Sequence, residues 1–347
     1  MKILRIGVTA AALFAAVGAS VTAASSPLPV GQAERILNLQ AGNFPEGIAF
    51  DRSGTLYLGN RRLEGTEVTY EILRISPDDE VSTFALLGTE AGADPAGSGL
   101  LGLTTDPPGN VYAALLSSDF ALHGVWRISA DGSERSRLPG SEQMGFPNAL
   151  AFDPRGNLYV TDSLAGAVWR FPSGGSGSLW IQDELLEPFP FDPAPVPLPG
   201  ANGIGFSPPN HLYVANTEKG LIAHVPINLA DGSAGEPTFV AQAFALLTVD
   251  GLAVDATGQI HGVIPAFAVL GTSPVVRVDP ATGDVVPTVD STAFGDFDVA
   301  LSLAFGRGAR DQKSVYVANG ALDLVPIPGP GPGITQANVG VPGLPVR

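Results

Sequence analysis

Two carboxylates and two carboxamides fall at one register of a repeating sequence, and together they could hold a hard cation. They are Glu46, Asn148, Asn202 and Asp250. Each stands four places before the position typified by Phe152, so the repeat selects them and residue type does not. The remaining two copies place Leu101 and Leu301 at that register. Hard oxygen donors carrying two negative charges suit Ca²⁺, which takes six to eight oxygens at about 2.3–2.6 Å. Four side chains leave positions for water or a substrate. Mg²⁺ is less well matched, because it prefers few carboxylates and retains waters. Zn²⁺ is disfavoured, since no His stands at the register. The competing reading is a solvated channel mouth of strand caps. That reading leaves Glu46 and Asp250 repelling each other without a counter-ion.

The elements that must position these groups are short strands joined by tight turns. The clearest copy of the repeat is Leu150-Ala151-Phe152-Asp153-Pro154-Arg155-Gly156-Asn157-Leu158-Tyr159-Val160. Related copies begin at Ile48, Leu103, Ile204 and Leu252, and a stretched one runs from Leu303 to Val317. Asp can bond its own backbone and Gly can take a positive φ, so Asp-x-x-Gly reads as a hairpin turn. A third alternating strand follows in several copies, as in Gly124-Val125-Trp126-Arg127-Ile128. Six units of three or four strands, with a period near fifty, predict an all-β, six-bladed β-propeller. The innermost strand of each blade lines the axis, so one register converges there. Arg35–Leu39 reads as an outer strand that closes the last blade, with residues 334–346 supplying that blade's remaining strand. Closure would remove exposed sheet edges.

Composition narrows the class. The net charge of −16 argues against a binder of nucleic-acid backbones, which needs a basic face. Zero Cys excludes disulfide scaffolds, thiolate metal sites and cysteine nucleophiles. Lys2 and Arg5, the apolar run from Ile6 to Val21 and the small residues around Ala23 predict a secretory signal over 1–24. The propeller domain is then 25–347, secreted or periplasmic, with no membrane contact once the signal is removed.

Other polar residues carry less. Asp298 and Asp296 precede the sixth register and could reach the pocket from a loop, though a solvated acid explains them as well. His123, His211, His224 and His261 fall at unrelated repeat positions, and His261 takes the Tyr159-type slot as packing. Asn60, Asp162 and Asn216 read as turn caps. No Gly-x-Ser-x-Gly elbow is present. Residues 176–200 and 262–274 are expected to be the longest irregular stretches.

Phe44-Pro45-Glu46-Gly47, Pro147-Asn148-Ala149-Leu150, Ala201-Asn202-Gly203-Ile204 and Val249-Asp250-Gly251-Leu252 resemble the senescence marker protein, gluconolactonase and luciferin-regenerating enzyme family. The resemblance covers nearly all of the chain after the signal. It implies a calcium ion held by Glu46, Asn148, Asn202 and Asp250, and hydrolysis of a lactone or related ester. It also implies a small-molecule substrate and Asp250 as general base or nucleophile, with a bound water as the competing account. Leu101 and Leu301 would give the pocket an apolar side. The alternative is a non-catalytic propeller that binds a ligand or protein partner and uses calcium to rigidify its channel. A condensing, strictosidine-synthase-like reaction would not require the calcium set.

Overall fold

The computed structural model describes residues 19–22, 27–94, 97–189, 198–320 and 329–344. Most of the expected signal, 1–18 and 23–24, lies outside them, as do 190–197 and 321–328.

The described residues form 25 strands. After β1 (Ala19–Val21) and β2 (Ala33–Leu39), blade one comprises β3 (Asn43–Phe50), β4 (Leu56–Glu64), β5 (Glu67–Ile75) and β6 (Val81–Ala91). Blade two holds β7 (Gly99–Thr105), β8 (Val111–Leu116), β9 (Gly124–Ile128) and β10 (Arg135–Arg137). Blade three holds β11 (Pro147–Phe152), β12 (Leu158–Asp162), β13 (Ala167–Phe171) and β14 (Ser178–Gln182). Blade four holds β15 (Ala201–Ser207), β16 (His211–Asn216), β17 (Leu221–Pro226) and β18 (Thr238–Gln242). Blade five holds β19 (Leu252–Val254), β20 (Ile260–Val263), β21 (Val275–Val278) and β22 (Val285–Pro287). Blade six takes β23 (Ala300–Phe305), β24 (Ser314–Asn319) and β25 (Gly333–Asn338), and its sheet order is β1-β2-β25-β24-β23.

The closure expected from Arg35–Leu39 is therefore present, with β2 pairing antiparallel to β25. Ala19–Val21 adds a fifth strand against Leu37–Leu39, ahead of the expected cleavage point. Four strands complete the blade without it. The inner strands β3, β7, β11, β15, β19 and β23 each lie against the next, and β23 returns to β3, which closes the ring.

The Asp-x-x-Gly turns form as their chemistry dictates. Asp153 Oδ1 accepts from the amides of Arg155 and Asn157 at 2.9 Å, and Gly156 adopts φ 80°. The same bonds form at Asp51 and Asp255. Hydrophobic cores sit between neighbouring blades. Tyr57 and Ile72 of blade one pack with Leu100, Val111 and Ile128 of blade two. Across the closure, Leu37 and Ile334 pack with Ile48, Leu58 and Leu73.

Two expectations need correction. Ser178–Gln182, inside the supposedly irregular 176–200, is the outer strand of blade three. It pairs on one side only and is largely exposed, so no buried face imposes alternation on its sequence. Likewise Phe267–Leu270 is a short helix, α1, anchored by the buried Phe267.

Candidate metal centre

The register residues occupy the starts of the inner strands, at one end of the axis. Glu46 lies in β3, Asn148 in β11, Asn202 in β15, and Asp250 just before β19. All four are buried, at 6%, 3%, 2% and 9% exposure, too low for the solvated channel mouth considered above. Leu101 and Leu301 are buried beside them, and Leu301 packs with Phe44 and Val299 into a small apolar cluster.

The ring is tight because the position after each register residue is small: Gly47, Gly102, Ala149, Gly203, Gly251 and Ser302. A β-carbon on Gly102 would lie 2.2 Å from the Asn148 carbonyl oxygen, and one on Gly203 would lie 2.0 Å from that of Asp250. Backbone meets backbone at these points, so neither side can yield cheaply. Gly203→Ala should cost about 1–3 kcal/mol by overpacking, read as a lowered urea midpoint with unchanged slope. The small residues stand in the repeat itself, one position after the register.

Fifteen positions after the register, hydroxyls orient the amides. Asn148 Nδ2 donates to Ser163 Oγ at 3.1 Å, and Asn202 Nδ2 donates to Thr217 Oγ1 at 2.9 Å. Thr217 in turn donates to the Val249 carbonyl at 2.7 Å. With its nitrogen committed, Asn202 leaves Oδ1 buried with no hydrogen-bond partner. An orphaned buried acceptor costs roughly 1–3 kcal/mol unless something else satisfies it.

The two carboxylates beside it are buried as well. Burial pushes the Glu46 carboxyl well up, and the nearby Asp250 pushes it further, with Arg61 partly offsetting both. Burial likewise raises Asp250, to about 8, and the adjacent Asn202 amide moderates the rise. Two buried carboxylates, one raised by the other's charge, and an unmatched amide oxygen form a donor set whose chemistry suits a hard cation. Among the described residues, no group of three or more His, Asp or Glu gathers as a metal site, so any cation here depends on the amides as well as the acids.

The other candidates resolve into structural roles. Asp298 Oδ2 accepts from the Gly331 amide at 3.0 Å, and its charge faces Arg35. Asp162 receives the amides of Gly145 and Phe146, while Asn216 Nδ2 donates to the carbonyls of Leu185 and Glu187. These groups pin the connection from the preceding blade and also cap their own turns as expected, Asp162 Oδ1 accepting from the Ala165 amide at 3.3 Å and Asn216 Oδ1 from the Lys219 amide at 3.0 Å. Asn319, which the stretched sixth copy concealed, does the same by accepting from the Asp298 amide. His261 is fully buried, its Nε2 lying 3.0 Å from Asp255 Oδ2, as Tyr159 meets Asp153 in blade three.

A cavity of about 640 Å³ opens at the opposite end of the axis, among Ala49, Thr104, Ala151, Gly205 and Ala253. Glu46, Asn148, Asn202 and Asp250 do not line it, and Gly102, Gly251 and Ser302 bound it on their side. This cavity is the far half of the channel, separated from the donor set by the ring of small residues. The donor set and this cavity lie on either side of that ring.

Closed blades and a shared inner register define a six-bladed β-propeller with an axial set of oxygen donors. Within that class, residues 196–319 match the family described as the SMP-30/Gluconolactonase/LRE-like region. The match spans blade four through β24 and includes Asn202 and Asp250, so the resemblance drawn from the four motifs holds there. Among solved structures, a luciferin-regenerating enzyme has 14% identity and a TM-score of 0.60, over 87% of this chain and 93% of that one. The calcium-binding protein regucalcin from Agrobacterium tumefaciens has 16% identity and a TM-score of 0.57, over 88% and 95%. A gluconolactonase from Xanthomonas campestris has 17% identity and a TM-score of 0.56, over 87% of each chain. At these identities the likeness establishes the fold. No curated protein sequence matches the chain.

Proposed function

We propose that this protein is an exported, calcium-dependent hydrolase of lactones or related esters. The observation that carries the reading is the buried pair Glu46 and Asp250, both raised in proton affinity by burial and Glu46 further by Asp250, beside the unpaired Asn202 Oδ1. Glu46, Asn148, Asn202 and Asp250 would hold the ion, and a calcium ion there supplies polarisation of a substrate carbonyl. Asp250 is the chain's own candidate base. Its carboxylate would take a proton from water as the water oxygen bonds to the acyl carbon, and return it to the ring oxygen as the acyl–oxygen bond breaks. Phe44, Leu101, Val299 and Leu301 would exclude water and receive the apolar part of the substrate. The N-terminal segment 1–24 supports export, and sequencing the N-terminus of secreted protein tests it.

A second reading is favoured by one observation. The four donors are nearly sealed and the large cavity lies elsewhere, as befits a structural ion in a non-catalytic binding propeller. A panel of lactones and aryl esters, assayed with and without chelator on wild type and Asp250→Ala, separates the two. Turnover abolished by chelator supports the hydrolase. No turnover, with a chelator-dependent loss of thermal stability, supports the structural role.

The hydroxyls give a milder test. Thr217→Val keeps the shape but frees the Asn202 amide to rotate. Groups that orient a ligand from behind are typically worth 10–100-fold in metal affinity. Calcium titration of this variant should show a loss of about that size.

A further inference from the structure

Blades one to three share a cross-strand cluster at the far end of the second strand. Tyr57, Tyr112 and Tyr159 each direct the hydroxyl to the turn Asp, and each pairs across strands with Arg74, Arg127 or Arg170. Blade five keeps the pattern with Asp255, His261 and Arg277. Blade four abandons it. Ser207 replaces the Asp, His224 replaces the Arg opposite Tyr213, and His211 stands in the slot that Asn157 fills in blade three. Carboxylate and guanidinium are both gone, and two half-buried imidazoles stand in their place.

We propose that His211 Nδ1 and His224 Nε2 form a binding site for a transition-metal ion, Ni²⁺ or Cu²⁺ before Zn²⁺. The two nitrogens are 3.0 Å apart on adjacent, hydrogen-bonded strands. Imidazole nitrogens bound at about 2.0–2.1 Å lie roughly 2.9 Å apart when cis at 90°, and roughly 3.4 Å apart at the tetrahedral angle. The observed spacing matches the cis arrangement, which tetragonal and octahedral ions prefer and Zn²⁺ does not. Without a metal the pair shares one hydrogen bond; coordination requires lone pairs on both facing nitrogens, so in the metal-bound form His224 would carry its proton on Nδ1, where Thr238 Oγ1 stands 3.4 Å away, and His211 on Nε2. Burial and the neighbouring His211 lower the proton affinity of His224, which keeps it neutral near pH 7. The site is independent of the axial donor set, which is all oxygen and suits calcium.

The chain has four histidines, and the other two are buried and engaged: His123 with the Met144 carbonyl and His261 with Asp255. Any accessible imidazole site is therefore this pair. The test is titration of NiCl₂ and CuCl₂ into the full chain, purified without a polyhistidine tag and held in excess Ca²⁺. One ion per chain is expected, with at least tenfold weaker binding in His211→Ala. His224→Arg restores the residue of the other blades, should fold normally, and should lose the ion to the same degree. Binding equal to wild type in either variant, or no binding beyond the calcium sites, overturns the proposal and leaves a hydrogen-bonded histidine pair.

Discussion

Asp250→Asn is expected to weaken calcium binding by about 10²-fold or more, some 2.7 kcal/mol, and to raise the stability of the metal-free protein. The two effects have one origin. Asp250 is buried near Glu46, burial raises the proton affinity of both, and the Asp250 charge raises that of Glu46 further. Removing one charge relieves the repulsion, so the metal-free fold gains. The same change takes away half of the negative charge that would attract the ion, so the complex loses. A variant that merely misfolds would lose both. Calorimetric calcium titration and a thermal melt in chelator, run on the same preparation, read the two signs separately. Lactone turnover, where present, should fall with the affinity.

The second large effect is in pH. Asp250 has a folded pKa of about 8 against an unfolded value near 3.9, so the metal-free native state holds more protons than the unfolded state between those limits. Stability must then fall as pH rises through that window. A shift of this size corresponds to about 5 kcal/mol between pH 4 and pH 8, with Glu46 acting in the same direction. Two other groups shift in the opposite sense, and only the second changes within this window. Burial would raise Asp255, but bonds from His261 and Thr257 outweigh that and hold it at about 2; its contribution is present above the unfolded pKa and disappears only in acid. His224, with its lowered proton affinity, contributes stability that grows as pH rises toward the unfolded histidine value. Urea midpoints at pH 5 and pH 8 should therefore decrease in chelator. With calcium present the carboxylates stay ionised in the fold, and the decrease should vanish. An identical profile with and without calcium would contradict the site.

The fold was legible because Asp-x-x-Gly and the alternating strands repeat their chemistry in every blade, so errors at one copy are corrected by the others. Even the closing strand Arg35–Leu39 followed, because a ring with an open blade would leave an edge. What escaped lacked either a pattern or a local cause. Ser178–Gln182 is held by one neighbour and faces solvent, so nothing in its sequence marks it. Asn319 was hidden by the insertion that stretches blade six. The register of Glu46, Asn148, Asn202 and Asp250 was readable, but Ser163, Thr217 and the small residues following the register were passed over. They act on backbone and amide groups, and only contact with those groups reveals why the positions matter. That the large cavity lies beyond the ring follows from side-chain volume along the whole channel, which no single motif encodes.

The most direct measurement is a crystal soaked with a lanthanide in place of calcium and examined for anomalous scattering. One strong peak on the propeller axis, bounded by the side-chain oxygens of Glu46, Asn148, Asn202 and Asp250, is the expected result. An empty axis at saturating lanthanide, or a peak bound elsewhere with these oxygens turned away, would contradict the account.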